Sequence, residues 1–531
     1  MAASIVYHLV LSVIIGFMVR GVCCQSAEEW IQQGKDELEK YLELKQNTNI
    51  AKNVIVFLGD GMGIPTVTSA RIYKGQLAGQ TGEEYVLGFE GLPRAALIKT
   101  YNTDYQVPDS AGTATAMLSG VKTKRGLIGV DSSVQRANCS SVTEKAKLES
   151  VFDLAVKEGK SAGIISTKSI TNASPASVYA HSPERYWESV GVDGCKDIAA
   201  QFLENSLDFQ VVLAGGRKTM MPISETDPED PELRGERLDG RNLIDEWVDS
   251  IPDGINAQYV WNQEQFDNVD TDNIEYLLGL FGHDEMKFEC KRHNDTAGEP
   301  SIVEMVEKAI TILQKNDRGY FLFVEGGLID TAHHGNWAYG AITDTVAFDD
   351  AVEKALDMVS TEDTLVIVTA DHGHVNTVNG YPYRGNPILG VTSDVLEAYD
   401  ELPYTTITYA NGPSGVAVAA SYRINGTRPD IRLQDTESPN YIQQSLVPTD
   451  SESHGGEDVS LHADGPYSHL FQGVHEQTYI AHVIKYAARL GEYAEDHNNG
   501  VSLLHVRLHV CLCLAIVFCF QFMYFPGLYN L

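Results

Sequence analysis

Three apolar runs in this chain each end on a carboxylate: Asn-Val-Ile-Val-Phe-Leu-Gly-Asp60, Tyr-Phe-Leu-Phe-Val-Glu325 and Thr-Leu-Val-Ile-Val-Thr-Ala-Asp371. Short runs rich in Val, Ile and Phe read as strands buried on both faces of a parallel sheet, and open α/β sheets bind ligands outside the carboxyl ends of their strands. The three acids are therefore aimed at one edge. Asp371 is followed by His372, and Glu325 by Gly-Gly-Leu-Ile-Asp330-Thr-Ala-His-His334. Mixed nitrogen and oxygen donors suit zinc, and an oxygen-only corner suits magnesium. The pattern predicts a hydrolase that uses several metal ions.

Further apolar runs at Ala162-Gly-Ile-Ile-Ser166 and Gln210-Val-Val-Leu-Ala-Gly215 alternate with helical patterns over 148–157 and 302–313, a βαβ-like succession. The expected fold class is α/β, a large and mostly parallel central sheet with helices on both faces. At 531 residues and 43% hydrophobic content, one large domain with insertions is favoured over several small ones. The acidic, proline-containing stretch 224–239 reads as a surface loop. Over 380–452 the texture turns to Gly, Pro, Tyr and Thr, which marks an inserted subdomain. The expected division is a catalytic domain over 28–379, the insertion over 380–452 and a return to the catalytic domain over 453–498.

The formal net charge of -34 argues against nucleic-acid binding, which rests on Lys and Arg neutralising phosphates. It also means that attraction for an anionic substrate has to be supplied locally, by metal ions and a placed arginine. Both ends read as processing signals. Residues 1–24 are mostly apolar and precede a cleavage region between 24 and 27. Asn498-Asn499-Gly500 precede a spacer and an apolar tail that is shorter than the roughly 20 residues of a spanning helix and broken by Gln521 and Pro526. This favours a GPI signal over 500–531, removed on attachment at Asn498, Asn499 or Gly500, and a product tethered to the outer face of the plasma membrane. Outside these ends only Cys139, Cys195 and Cys290 remain. One disulfide, Cys139 with Cys195, and one spare thiol is the simplest arithmetic, three buried free thiols being the alternative. Sequons at Asn138, Asn294 and Asn425 agree with secretion.

Ser110, in Pro108-Asp109-Ser110-Ala-Gly-Thr-Ala-Thr, stands at the start of a small-residue helix, where backbone N–H groups and the helix dipole favour phosphate. An ordinary helix cap is the plainer reading of that segment alone. Together with Gly59-Asp60-Gly-Met-Gly63, Glu325 through His334, Thr369-Ala-Asp371-His372 and Ser453-His454-Gly-Gly-Glu457, it resembles the membrane-bound animal alkaline phosphatases, in the same order from about Asn53 to the tail. The resemblance implies two zinc ions, one held by Asp330, His334 and His454 and the other by Asp60, Asp371 and His372. It further implies one magnesium on Asp60, Ser174 and Glu325, with Ser110 as the phosphorylated nucleophile and Arg185 gripping phosphate. Asp109 and Asn172 stand behind these groups. The insertion resembles the family's crown, which packs against its mate in a homodimer, with Tyr381 matching a tyrosine that reaches toward the partner's site.

Three departures from the family pattern stand out. Asn172 replaces a histidine or aspartate beside magnesium, which predicts a functional site of altered affinity. Asn172-Ala-Ser174 is also a sequon, and no glycan is expected there because Ser174 is needed at the metal. For a calcium site, Glu229, the Phe281 carbonyl and Glu299 can be matched, but Gly282 stands where relatives have an acid, which weakens an ion that wants six to eight oxygens. The implied activity is phosphate-monoester hydrolysis at alkaline pH. The rivals are a phosphodiesterase on the same fold and a catalytically silent GPI-tethered binding protein.

Overall fold

The computed structural model describes residues 26–392 and 398–494. The expected leader and the GPI region, with Asn498, Asn499 and Gly500, lie outside the described residues. The chain divides into two compact units at Gln46/Asn47, and the 380–452 stretch belongs to the second. The first unit contains the helix Ala27–Leu42, whose N-cap Ser26 and Glu29 satisfy each other's backbone donors and none of whose residues is buried. Such a helix brings no apolar face to a core of its own.

Ten strands make the central sheet: β1 (Asn53–Gly59), β2 (Arg94–Lys99), β3 (Ser161–Ser169), β4 (Phe209–Gly215), β5 (Ala257–Val260), β6 (Tyr276–Leu280), β7 (Tyr320–Gly326), β8 (Thr364–Ala370), β14 (Val459–Asp464) and β15 (Gly473–Glu476). Their order is β15-β2-β14-β8-β1-β7-β3-β4-β6-β5. Only β14 runs against both neighbours, β2 and β8, so the sheet is mostly parallel as expected. β1, β7 and β8 are buried almost throughout, which is why they read as unbroken apolar runs instead of alternating ones. Amphipathic helices such as Ile302–Leu313, opened by a Ser301/Glu304 capping box, bury one stripe against the sheet.

Register places the acids. Leu58 of β1 pairs with Glu325 of β7, and Gly59 pairs with Ala370 of β8, so Asp60 and Asp371 each begin one residue beyond a matched pair. Neighbouring parallel strands lie about 4.8 Å apart, and the three carboxylates are thereby brought side by side. Two smaller pairings complete the architecture. β10 (Asn376–Val378), just before the insertion, and β11 (Ile407–Gly412) and β12 (Ser445–Pro448) within it form a three-stranded sheet. β9 (Gly373–His374) and β13 (His454–Gly455) form an antiparallel pair that sets His454 opposite His374.

Candidate active site

Asp60, Asp371 and His372 converge at the ends of β1 and β8, all fully buried. His372 Nε2 lies 3.1 Å from Asp371 Oδ2 and 3.6 Å from Asp60 Oδ1. The helix Leu328–His334 presents Asp330 and His334 one turn apart, and β13 brings His454 to them. His334 Nε2 and His454 Nε2 are 3.2 Å apart, and each is 3.3 Å from Asp330 Oδ1. The rings of His372 and His454 stack with centroids 3.6 Å apart, which joins the two sets into one centre.

The imidazoles are oriented from behind. Nδ1 of His334 lies 2.6 Å from the Glu452 carbonyl, Nδ1 of His454 2.9 Å from that of Pro108, and Nδ1 of His372 3.3 Å from that of Gly373. A carbonyl only accepts, so each Nδ1 carries the proton and each Nε2 turns a lone pair inward. Lone pairs and carboxylate oxygens this close repel one another unless a cation stands among them. The donor set, two nitrogens with one carboxylate and one nitrogen with two, suits zinc.

The oxygen corner lies beside it. Ser174 is fully buried, and its Oγ and Glu325 Oε1 both lack a hydrogen-bond partner, whereas Glu325 Oε2 accepts from Ser166 Oγ. Burial and the Asp60 charge push the Glu325 carboxyl up to about 8, and the same two causes raise Asp371 well above the usual carboxylate range. Crowded, orphaned hard oxygens fit magnesium. Asn172 caps the short helix Ala173–Ala176, its Oδ1 accepting from the Ala173 amide at 2.8 Å.

Ser110 opens the helix Ser110–Ser119, and its Oγ lies 3.2 Å from His372 Nε2 and 3.5 Å from Asp60 Oδ1. Asp109 is the N-cap. Its carboxylate accepts from the amides of Gly112 and Gly126, from Asn102 and from Arg185 Nη1 at 3.2 Å. Burial opposes its charge, but Arg185 and these donors hold it below the ordinary range. Ser110, Arg185, Asp330, His334 and His454 all line one cavity of about 580 Å³.

Comparison with known proteins agrees with this geometry. The family described as alkaline phosphatase matches residues 51–490. The tissue-nonspecific alkaline phosphatase isozyme of Felis catus is 47% identical over 484 residues, covering 89% of this chain and 90% of the relative. The alkaline phosphatase of Gadus morhua is 44% identical, covering 87% and 97%. The chain belongs to the alkaline phosphatase family. The fold agrees with solved alkaline phosphatases of Thermus thermophilus (TM-score 0.60, 24% identity, 84% of this chain and 93% of that one) and of the Antarctic bacterium TAB5 (TM-score 0.57, 22% identity, 83% and 99%).

Three residues of this alkaline phosphatase centre escaped the sequence reading. Lys168, near the end of β3, is buried with its Nζ 3.2 Å from Asp60 Oδ2 and 2.8 Å from Asp330 Oδ2. Burial opposes its charge, and the two aspartates overcome that and raise its pKa. His374 bridges Glu452 Oε2 at 2.5 Å and Asp330 Oδ1 at 3.0 Å, and Glu452 also accepts from the Val375 amide. A lysine inside an apolar strand, and a second histidine in Asp371-His-Gly-His374, were the available signals.

The matched calcium residues are arranged differently from expectation. Arg217, fully buried, donates from Nη2 to Glu229 Oε2 at 2.8 Å and from Nη1 to the Phe281 carbonyl at 2.6 Å. Glu299 instead accepts from the Lys287 amide, and burial together with Asp295 and Glu229 pushes it up to about 7. Two of the three matched residues thus engage the Arg217 guanidinium. Cys139 and Cys195 form the expected disulfide, with Cys290 free and half-buried. Asn294 and Asn425 are exposed and Asn138 half-buried.

Proposed function

We propose that this alkaline phosphatase hydrolyses phosphate monoesters at alkaline pH through a phosphoserine on Ser110. What carries the reading is that Ser110, Arg185 and the Asp330/His334/His454 donor set line one cavity, with the buried Asp60/Asp371/His372 set joined to them through the Ser110–His372 contact of 3.2 Å. Asp330, His334 and His454 would hold one zinc; Asp60, Asp371 and His372 the second; Asp60, Ser174 and Glu325 the magnesium. Bound there, the ions would supply positive charge to the phosphoryl oxygens and lower the pKa of a nearby hydroxyl.

The chain's own groups do the positioning. Arg185, braced by Asp109, offers a planar fork to two phosphoryl oxygens, and the amides opening the Ser110 helix add their partial charge. Ser110 Oγ gives its proton to solvent and forms a bond to phosphorus as the ester bond breaks, and the departing alkoxide takes a proton from solvent in return. Water then cleaves the phosphoserine, releasing phosphate and restoring the hydroxyl. This is transfer by placement and electrostatics, which is what phosphoryl transfer requires. His374 acts on none of the reacting atoms; it holds Asp330 in place.

The test is phosphate release from a chromogenic monoester at alkaline pH, before and after chelation, with a diester control and metal analysis of the secreted ectodomain. About two zinc and one magnesium per subunit, with activity lost in Ser110→Ala, are expected. Preference for the diester would favour the phosphodiesterase reading, and a metal-free inert protein the silent binding protein. Asn172 is proposed to alter magnesium affinity, and superimposable titrations of this chain and Asn172→His would remove that idea. A GPI-anchored, glycosylated homodimer on the outer cell surface completes the proposal, with Tyr381, 75% exposed, at the mate-facing crown.

A further inference from the structure

The cavity is far larger than a phosphate group, and its outer wall carries charge that the reaction at Ser110 does not use. Arg125 and Arg136 line it together with Arg185, and Tyr105 and Tyr186 stand beside them. The Tyr186 ring has two guanidiniums near it, those of Arg136 at 5.9 Å and Arg185 at 5.7 Å from its centroid. Arg136 is committed to Glu184 by two bonds of 2.8 and 3.0 Å. Arg125 is exposed, rests 5.2 Å from the Tyr105 ring centre, and its guanidinium makes no hydrogen bond or ion pair among the described residues.

Its backbone is fixed to the phosphate grip. The amide of Gly126, the next residue, donates to Asp109 Oδ2 at 2.9 Å, the oxygen that also accepts from Arg185, and the Gly126 carbonyl accepts from the Arg185 amide at 3.0 Å. An uncommitted cation is therefore held beside the inner site on a surface whose net charge is otherwise strongly negative. Local positive charge at the mouth of a cleft selects among anions even when the global field repels them.

We propose that this wall is a second anion subsite, in which Arg125, supported by Arg136, receives a second negatively charged group on the leaving-group side of the substrate. The preferred esters are then those whose alcohol portion carries a carboxylate or a further phosphate. The proposal rests on the monoester reading of the inner site.

The experiment compares kcat/KM for a series of ω-carboxyalkyl phosphates with their carboxamides, which differ in charge alone. At one or more chain lengths the carboxylate is expected to be favoured about two- to fivefold, the scale of one exposed ion pair, with the preference fading as salt is raised. Arg125→Ala should abolish the preference, Arg125→Glu should reverse it, and Arg136→Lys should reduce it. A wild-type ratio of one or less at every length, or a preference that survives Arg125→Glu, overturns the subsite. No phosphate from either ester would instead overturn the inner-site reading, and the subsite with it.

Discussion

Lys168 has its charge inside the protein, and Asp60 and Asp330 are the groups that make this tolerable. Deleting one partner of a buried charge network leaves the others uncompensated, a loss of roughly 3–5 kcal/mol. Lys168→Met should therefore destabilise the chelated protein by that order in urea unfolding, and by much less once zinc and magnesium are restored, because the ions take over its neutralising role. An equal loss in both states would mean that the lysine acts only through packing. Why the sequence hid this residue is physical: a lysine in a strand is ordinarily an edge or surface feature, and only the central position of β3 makes its burial evident. Asp60, Glu325 and Asp371 were legible because each closes an apolar run, a purely local signal. His374 and Glu452 were not, since their role depends on contact with Asp330 and each other across the fold.

At the scale of elements, the segment between Cys139 and Cys195 contains Asn172, Ser174 and Arg185, so one covalent link frames much of the proposed phosphate and magnesium surface. At a sequence separation of 56, the chain-entropy argument gives about 4 kcal/mol of stabilisation. Reduction should lower the urea midpoint correspondingly and raise KM for phosphate esters; an unchanged midpoint would show that the loop is held by packing alone. β14 supplies a second case. Burial on this strand, with the ring 5.4 Å from that of Phe89, pushes His462 down to about 4. The unfolded chain binds a proton there below about pH 6.5 that the folded chain refuses until about pH 4, so stability is full above 6.5 and falls as pH drops through that window, by at most about 3 kcal/mol. His462→Gln should flatten that part of the stability–pH curve, measured by urea titration at fixed ionic strength. The strands themselves were readable from local composition. The pairing of β9 with β13 was not, because it joins segments some eighty residues apart through two-residue strands too short to leave a periodic trace.

For the molecule as a whole, the sheet and the helix Leu328–His334 hold Asp60, Glu325, Asp330 and Asp371 close together whatever occupies the space between them. Chelation should accordingly abolish activity and lower the unfolding temperature, with zinc restoring both, as followed by scanning fluorimetry alongside phosphate release. An unfolding temperature indifferent to chelation would contradict the reading of these acids as cation ligands. The family resemblance supplied the expected ligand order, and what it could not show is the company those residues keep: Arg217 engages Glu229 and the Phe281 carbonyl.

The carbonyl anchors behind His334, His372 and His454 have one more implication. Because each ring's tautomer and tilt are dictated by main-chain oxygens, capture of an ion demands little rearrangement of the scaffold. Ion uptake can then follow folding instead of guiding it, and the readiness of the centre is governed by ion supply more than by any slow conformational step.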